Sequence, residues 1–421
     1  MSSKTKASAT MDEARPEMVP KLRFPEFRGA EGWSQKQLSD LCELITKGAT
    51  PTSYGFSYVD DGVHFVKIES LVDGSIDPSK TAYITEECNK AFFRSQLKEN
   101  DILFSIAGAL GVIALVEVKI LPANINQAIA LVRLKHGQSH EFLLHQLQTN
   151  SIQSEIQRIK AGAAQPNVSL GQLGDFAALL PSPAEQQKIA ECLSSVDELM
   201  AAQARKVDAL KTHKKGLMQQ LFPREGETRP RLRFPEFQNA AAWEVKAIGD
   251  VFRVTRGEVL SMTLVNDEAS NEAPFPVYSS QTKNKGLAGY YSEHLYEDAI
   301  TWTTDGANAG DVNFRPGKFY CTNVCGVLIN ANGCANVCIA ALLNSVTRSH
   351  VSYVGNPKLM NGVMAKIEIP FPSVPEQQLI ASCLNSLDAL ITAETQKLEA
   401  LKTHKKGLMQ QLFPSPVEVE A

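Results

Sequence analysis

The chain has 421 residues, 43% of them apolar and 21% charged, enough for two or three domains with real cores. It contains no apolar run of eighteen residues, which excludes a membrane-spanning helix of ordinary length. Its net charge is −4, and a protein that grips DNA alone is usually basic, so any DNA reading is expected inside a larger assembly.

In chain order, residues 1–20 are polar and read as a disordered tail rather than a secretory signal, which points to the cytoplasm. Residues 21–180 form a first block. Its short apolar runs at 63–68, 101–106, 111–118 and 127–134 predict strands, and 141–159 predicts a helix before a loop and turn. Residues 181–223 predict one long helix. Residues 224–371 form a second block with the same order: strands at 299–302, 311–314 and 325–329, then a helix at 337–346. Residues 372–414 predict a second long helix, and 415–421 a tail.

The chain is written twice. KLRFPEF at 21–27 returns as RLRFPEF at 231–237, and each is followed by a tryptophan, Trp33 and Trp243. ALKTHKKGLMQQLFP at 209–223 returns unchanged at 400–414, and PSPAEQQ returns as PSVPEQQ. The ends of each half are nearly copied while the middles have diverged. Duplicated scaffolds with unlike inserts suit recognition of two unlike targets.

The long helices carry a narrow apolar stripe in steps of three and four. It consists of Ile189, Leu193, Val196, Met200, Val207, Leu210, Leu217 and Leu221, then Ile380, Leu384, Leu387, Ile391, Leu398, Leu401, Leu408 and Leu412. This is a coiled-coil seam, interrupted by Gln203, Lys214, Glu394 and Lys405. Pro181, Pro183, Pro372 and Pro375 are expected to precede the helices, with Glu185 and Glu376 favoured in the first turn by the helix dipole. Gly216 and Gly407 should weaken the helices locally. A helix of about 38 residues spans roughly 57 Å, and a pair of them would hold two domains about one DNA turn apart.

These features resemble the specificity subunit of type I restriction–modification systems. The resemblance implies an α+β fold with a pseudo-twofold internal repeat. Two target recognition domains would be joined by two long helices that pair as an antiparallel coiled coil. Each domain would bind one half of a bipartite site in double-stranded DNA. The helices would set the spacing and dock two methylation subunits, and two motor-nuclease subunits would join for cleavage. The chain itself would have no catalytic centre and bind no cofactor. S-adenosylmethionine would belong to the methylation subunits, and ATP with magnesium to the motor subunits.

Base and phosphate readers are polar and basic side chains at loop edges. In the first block the candidates are Lys47, Thr50, Thr52, Ser53, Tyr54, Lys67, Ser70, Asn124, Asn126 and Gln127. In the second they are Arg256, Ser279, Gln281, Lys283, Asn284, Thr303, Thr304 and Asn308. For each, the plain alternative is a solvated loop side chain. The basic helix ends, Lys211, His213, Lys214, Lys215 and their copies, are expected to be a solvated face or to meet phosphate or a partner.

Other readings compete. Cys321, Cys325, Cys334 and Cys338 have a loose zinc-like spacing, but they read better as buried reduced thiols. Asp101 with Glu117 and Lys119 is a nuclease-like fragment, though Glu-x-Lys is common and recurs at Glu244 and Lys246. A scaffold presenting two protein-binding domains without DNA would suit the acidic charge. Salt-dependent DNA binding in the presence of methylation subunits separates it from a DNA reader.

Overall fold

The computed structural model describes residues 18–72, 74–162, 166–281 and 283–414. The expected tails at 1–17 and 415–421 lie outside the described residues. Residues 18–20 are described, and the Met18 carbonyl accepts a hydrogen bond from the Trp33 N–H at 2.8 Å. Two compact units divide the chain, residues 1–202 with 398–421, and residues 203–397.

The first unit is built on a four-stranded antiparallel sheet in the order Cys42–Lys47, Ile129–Leu134, Ile102–Ser105, Ile113–Leu115. Its central strands read as continuous apolar runs because both faces are covered. Ile102 and Phe104 point into one core, with Trp33, Phe142 and Leu193, while Leu103 and Leu131 point into another, with Ile125 and Val116. A second sheet of Ala82–Ile84, Val63–Val66 and Ala123–Ile125 packs Phe65 and Ile84 over Cys88 and Phe92.

The second unit repeats the plan. Arg253–Arg256, Cys325–Ile329, Tyr296–Thr303 and Val312–Cys321 stand in the same sheet order. Phe275–Tyr278 and Leu287–Tyr291 extend this sheet to six strands. The blocks whose sequences diverged thus keep one strand order.

Several sequence-based boundaries shift. The helix expected at 141–159 is two, His140–Leu147 and Asn150–Ala161. The strand expected at 311–314 runs on through Val312–Cys321. Several strands fall outside the expected set, among them Ser34–Gln37 pairing with Ala177–Leu180, Glu244–Ala247 pairing with Glu368–Phe371, and the sheet-edge strands Cys42–Lys47 and Arg253–Arg256. All four residues of Ser34–Gln37 are exposed, so the strand carries no apolar alternation to betray it.

The long helices run Pro183–Leu221 and Val374–Leu412, 39 residues each. Pro183 and Pro375 stand inside the first turn rather than before it, where their missing N–H would have had no partner in the helix. Within the first unit, Lys405 of the second helix meets Asp197 of the first at 2.7 Å. Within the second unit, the equivalent Lys214 meets Asp388 at 2.6 Å. Gln203 donates to the Glu394 carboxylate at 2.7 Å. These pairs run in opposite chain directions, so the helices pair antiparallel, and all four seam interruptions meet polar partners across the seam. Gln203, then Lys397 and Lys206, hold the Glu394 carboxyl down to about 2.

The apolar stripe does two jobs. Met200, Leu210, Leu217, Leu387, Ile391, Leu398, Leu401 and Leu408 are half-buried, and Val196 and Val207 are buried. Ile189, Leu193 and Leu412 belong to the core of the first unit, and Leu221, Ile380 and Leu384 to that of the second. The stripe's ends are therefore domain core as well as seam, which a heptad pattern alone does not distinguish.

Candidate nucleic-acid interface

In the first unit the sequence candidates gather at one end of the central sheet. Lys47 ends its strand opposite Ala130. Gly48 follows so closely against the strand Ala123–Ile125 that an added Cβ would lie 1.9 Å from the Ile125 carbonyl oxygen. The Asn126 N–H donates to the Val66 carbonyl at 3.1 Å, which puts Lys67 beside the turn holding Asn126 and Gln127. Lys67 lies over the Tyr58 ring, 4.5 Å from its centroid. Thr52, Ser53 and Tyr54 are exposed on the short turn Pro51–Tyr54, where Tyr54 packs edge-on against Phe92. Thr50 is half-buried at its start.

Two first-block candidates are withdrawn. Ser70 is fully buried and donates to the Lys80 carbonyl at 2.9 Å. Asn124 is fully buried, accepting from Ser95 at 2.7 Å and donating to Asn89 at 2.8 Å. Each spends its polar atoms on neighbouring loops, so neither presents a donor or acceptor to a groove.

In the second unit Arg256 also ends a strand, and the Gly257 behind it takes the same close approach, against the Cys321 and Thr322 carbonyls. The Arg256 guanidinium donates to the Asn323 carbonyl and, from Nη2, to Thr304 Oγ1 at 3.3 Å and Asp305 Oδ2 at 3.2 Å. Lys358 reaches the other Asp305 oxygen at 3.7 Å. Thr303 and Thr304 are buried and also withdrawn as direct readers; Thr304 instead helps hold Arg256. Ser279 pairs with Thr322 at 3.0 Å, and Asn308 donates to the Ser280 carbonyl at 3.1 Å. Gln281 and Asn284 are exposed, and Asn284 has φ +49°. The side chain of Lys283 lies outside the described residues, as does Thr282.

A sequence profile describing the type I restriction modification DNA specificity domain matches the chain twice, over residues 30–212 and 241–403. The chain belongs to this family. It is a type I specificity subunit, the non-catalytic component of such systems, with two target recognition domains. It is 25% identical over 407 residues to the putative type I restriction enzyme MjaX specificity subunit of Methanocaldococcus jannaschii, covering 93% of this chain and 95% of that one. It is 39% identical over 142 residues to a putative specificity subunit N-terminus of Mycoplasma pneumoniae, covering 33% of this chain and 74% of that one. Among solved structures, the S subunit from M. genitalium shares the fold at TM-score 0.62 and 16% identity, covering 95% of this chain and all of the other.

The competing site chemistries dissolve in the geometry of this specificity subunit. Asp101 is buried and clamped by Arg133 at 2.7 Å, while Glu117 and Lys119 pair with each other at the surface. Cys321 and Cys325 sit in one apolar cluster, whereas Cys338 sits in another. Burial pushes the Cys325 thiol up to about 11 and those of Cys321 and Cys338 higher, so these are thiols, not thiolates. Among the described residues no three His, Cys, Asp or Glu side chains gather to hold a metal, and no helix is long and apolar enough to cross a membrane.

The sequence reading missed the buried clasp in each half. Arg23 of the first LRFPEF segment donates to both Glu185 oxygens at 2.8 and 2.7 Å. Arg233 does the same to Glu376 at 2.8 and 2.6 Å. Each pair is bidentate and buried, and it ties the segment entering a recognition domain to the first turn of the helix leaving it. The repeat of both motifs carries this signal, which the helix-dipole preference of Glu185 and Glu376 by itself does not reveal.

Proposed function

We propose that this specificity subunit reads a bipartite double-stranded DNA site, one half with each recognition domain. The observation that carries this is the pairing of one strand order with unlike surface chemistry at the same sheet end, Lys47 with Asn126 and Gln127 in one domain and Arg256 with Lys358 in the other. The long helices set the spacing of the two halves.

The helices also dock two methylation subunits. An identical fifteen-residue segment occurs in both, although a seam constrains only its buried positions. Leu199 and Leu390 occupy equivalent positions and are exposed by 58% and 42%. A groove of about 1170 Å³ in the first unit is lined by Gln146, Asn150, Arg158, Lys405, Lys406 and Met409. A matching outward face given twice suits two copies of one partner. One solved relative, TM-score 0.54 at 18% identity, was described in a study of complex assembly in the type I system. Two motor-nuclease subunits complete the restricting complex. S-adenosylmethionine is bound by the methylation subunits, and ATP with magnesium by the motor subunits, in the cytoplasm.

The test is base-modification sequencing of genomic DNA from cells carrying the methylation subunit, with and without this chain. The expected result is a split motif methylated on adenine only when the chain is present. An intact, purified complex that gives no chain-dependent motif overturns the proposal in favour of a protein-binding scaffold.

A further inference from the structure

Arg23, Arg233 and Arg315 are anchored and buried, Arg133 is largely so, and Arg229 and Arg348 are held through Nη2 alone at exposed sites. Arg256 differs. Its fork is fixed by Asn323, Thr304 and Asp305, yet its side chain keeps 41% exposure. Those bonds engage Nε and Nη2, and Nη1 takes part in none of them. Asp305 faces two cations, Arg256 and Lys358, so the cluster is left with a net positive charge toward solvent.

Beside this cluster stands a hairpin, residues 352–358. Ser352 and Lys358 exchange two backbone hydrogen bonds, both at 2.9 Å. The stem is tied to the Asp305 turn by Gly306 N–H to the Pro357 carbonyl at 3.0 Å and Leu359 N–H to the Thr304 carbonyl at 2.9 Å. Gly355, at φ +78°, closes the bend. The tip carries Tyr353 at 69% exposure and Val354 at 93%. A pinned stem that lifts an aromatic and a branched side chain into water gains nothing for folding from those two residues.

We propose that Arg256 and this hairpin together form the base-reading corner of the second recognition domain. Arg256 donates to a guanine edge in the major groove, and Tyr353 and Val354 enter the same groove to contact an adjoining pair, where a thymine methyl is the apolar feature on offer. Asp305 is a positioning residue: it orients the guanidinium and does not touch DNA. The corner's positive charge suits duplex DNA, and a two-residue tip fits a groove about 12 Å wide. The first domain offers Lys47 at the corresponding strand end, so it reads a different half-site. This inference rests on the DNA-reading function proposed above.

The test uses the full chain assembled with its methylation subunits. Duplexes carrying every single-base change in both half-sites are titrated, and genomic motifs are sequenced. Arg256→Ala is expected to lower discrimination at one G·C position of one half-site by about tenfold or more, with the other half-site unchanged. Arg256→Lys does not restore it, because a point charge lacks the fork. Asp305→Asn weakens discrimination at that same position. The double change Tyr353→Ser, Val354→Ser relaxes a neighbouring position and leaves thermal unfolding unaltered. If Arg256→Ala compromises folding, this hairpin variant decides, since its side chains are solvated. The inference is overturned if the variants keep the parent motif, or if they weaken all duplexes equally. A parent complex with no chain-dependent motif would instead sink the DNA-reading proposal itself.

Discussion

Arg23 and Glu185 show how a short repeated motif works at the scale of single residues. Each pair is bidentate and out of water, so losing one member strands a charge in the core. Glu185→Ala or Glu376→Ala is expected to destabilise its unit by about 3–5 kcal/mol, read by denaturant unfolding of the chain. The two clasps are not quite equal. The Trp243 indole N–H also donates to Glu376 at 3.1 Å, whereas that of Trp33 is buried without a partner. His145 is another residue that folding alone explains. Burial first, then Lys405, pushes its imidazole down to about 3, so it stays neutral beside Asp197 at 4.0 Å and forms no ion pair near neutral pH. The unfolded chain takes up that proton below about pH 6.5. Stability is therefore present above pH 6.5 and falls as pH drops toward 3, by at most about 1.4 kcal/mol per unit. Urea unfolding at pH 7 and pH 5 should show a smaller acid loss in His145→Leu than in the parent chain.

At the scale of the element, the long helices were legible because their stripe keeps one period for 39 residues. Their polar interruptions were legible as positions but not as partners. Asp197 and Asp388 sit off the stripe, so only the antiparallel pairing reveals that they receive Lys405 and Lys214. Gly216 and Gly407 lie in unbroken helix, and an added Cβ at either meets nothing within 4 Å. Gly216→Ala and Gly407→Ala should each stabilise the chain by about 0.5–1 kcal/mol, measured by thermal unfolding. The outward leucines belong to the docking reading. Leu199→Asp with Leu390→Asp should abolish co-purification of methylation subunits while the chain still folds, and either change alone should leave one subunit bound. Retention of both subunits by the double variant would place their docking face elsewhere.

At the scale of the whole molecule, the duplication predicts behaviour that no single site does. If each recognition domain reads independently, replacing residues 224–371 with a second copy of the first block should give a motif whose two halves match. Antiparallel helices should make those halves an inverted repeat, checked by modification sequencing. An unchanged motif would mean that the second block carries no base reading.

The sequence by itself determined the repeat, the two long helices, the α+β blocks and the family, because copied ends and a sustained stripe are local patterns. It also singled out Lys47, Lys67, Asn126 and Gln127 in the first block and Arg256 in the second as loop-edge candidates, and Lys47 and Arg256 each end a strand of their own unit. Only the tertiary structure decided that Ser70, Asn124, Thr303 and Thr304 face inward and that Arg23 belongs with Glu185, 162 residues away. It alone brought Lys358 and the exposed tip of residues 352–358 beside Arg256. The physical reason is common to all of these. A polar side chain looks alike in sequence whether it faces water or closes a loop, and its role is fixed by which distant backbone approaches it.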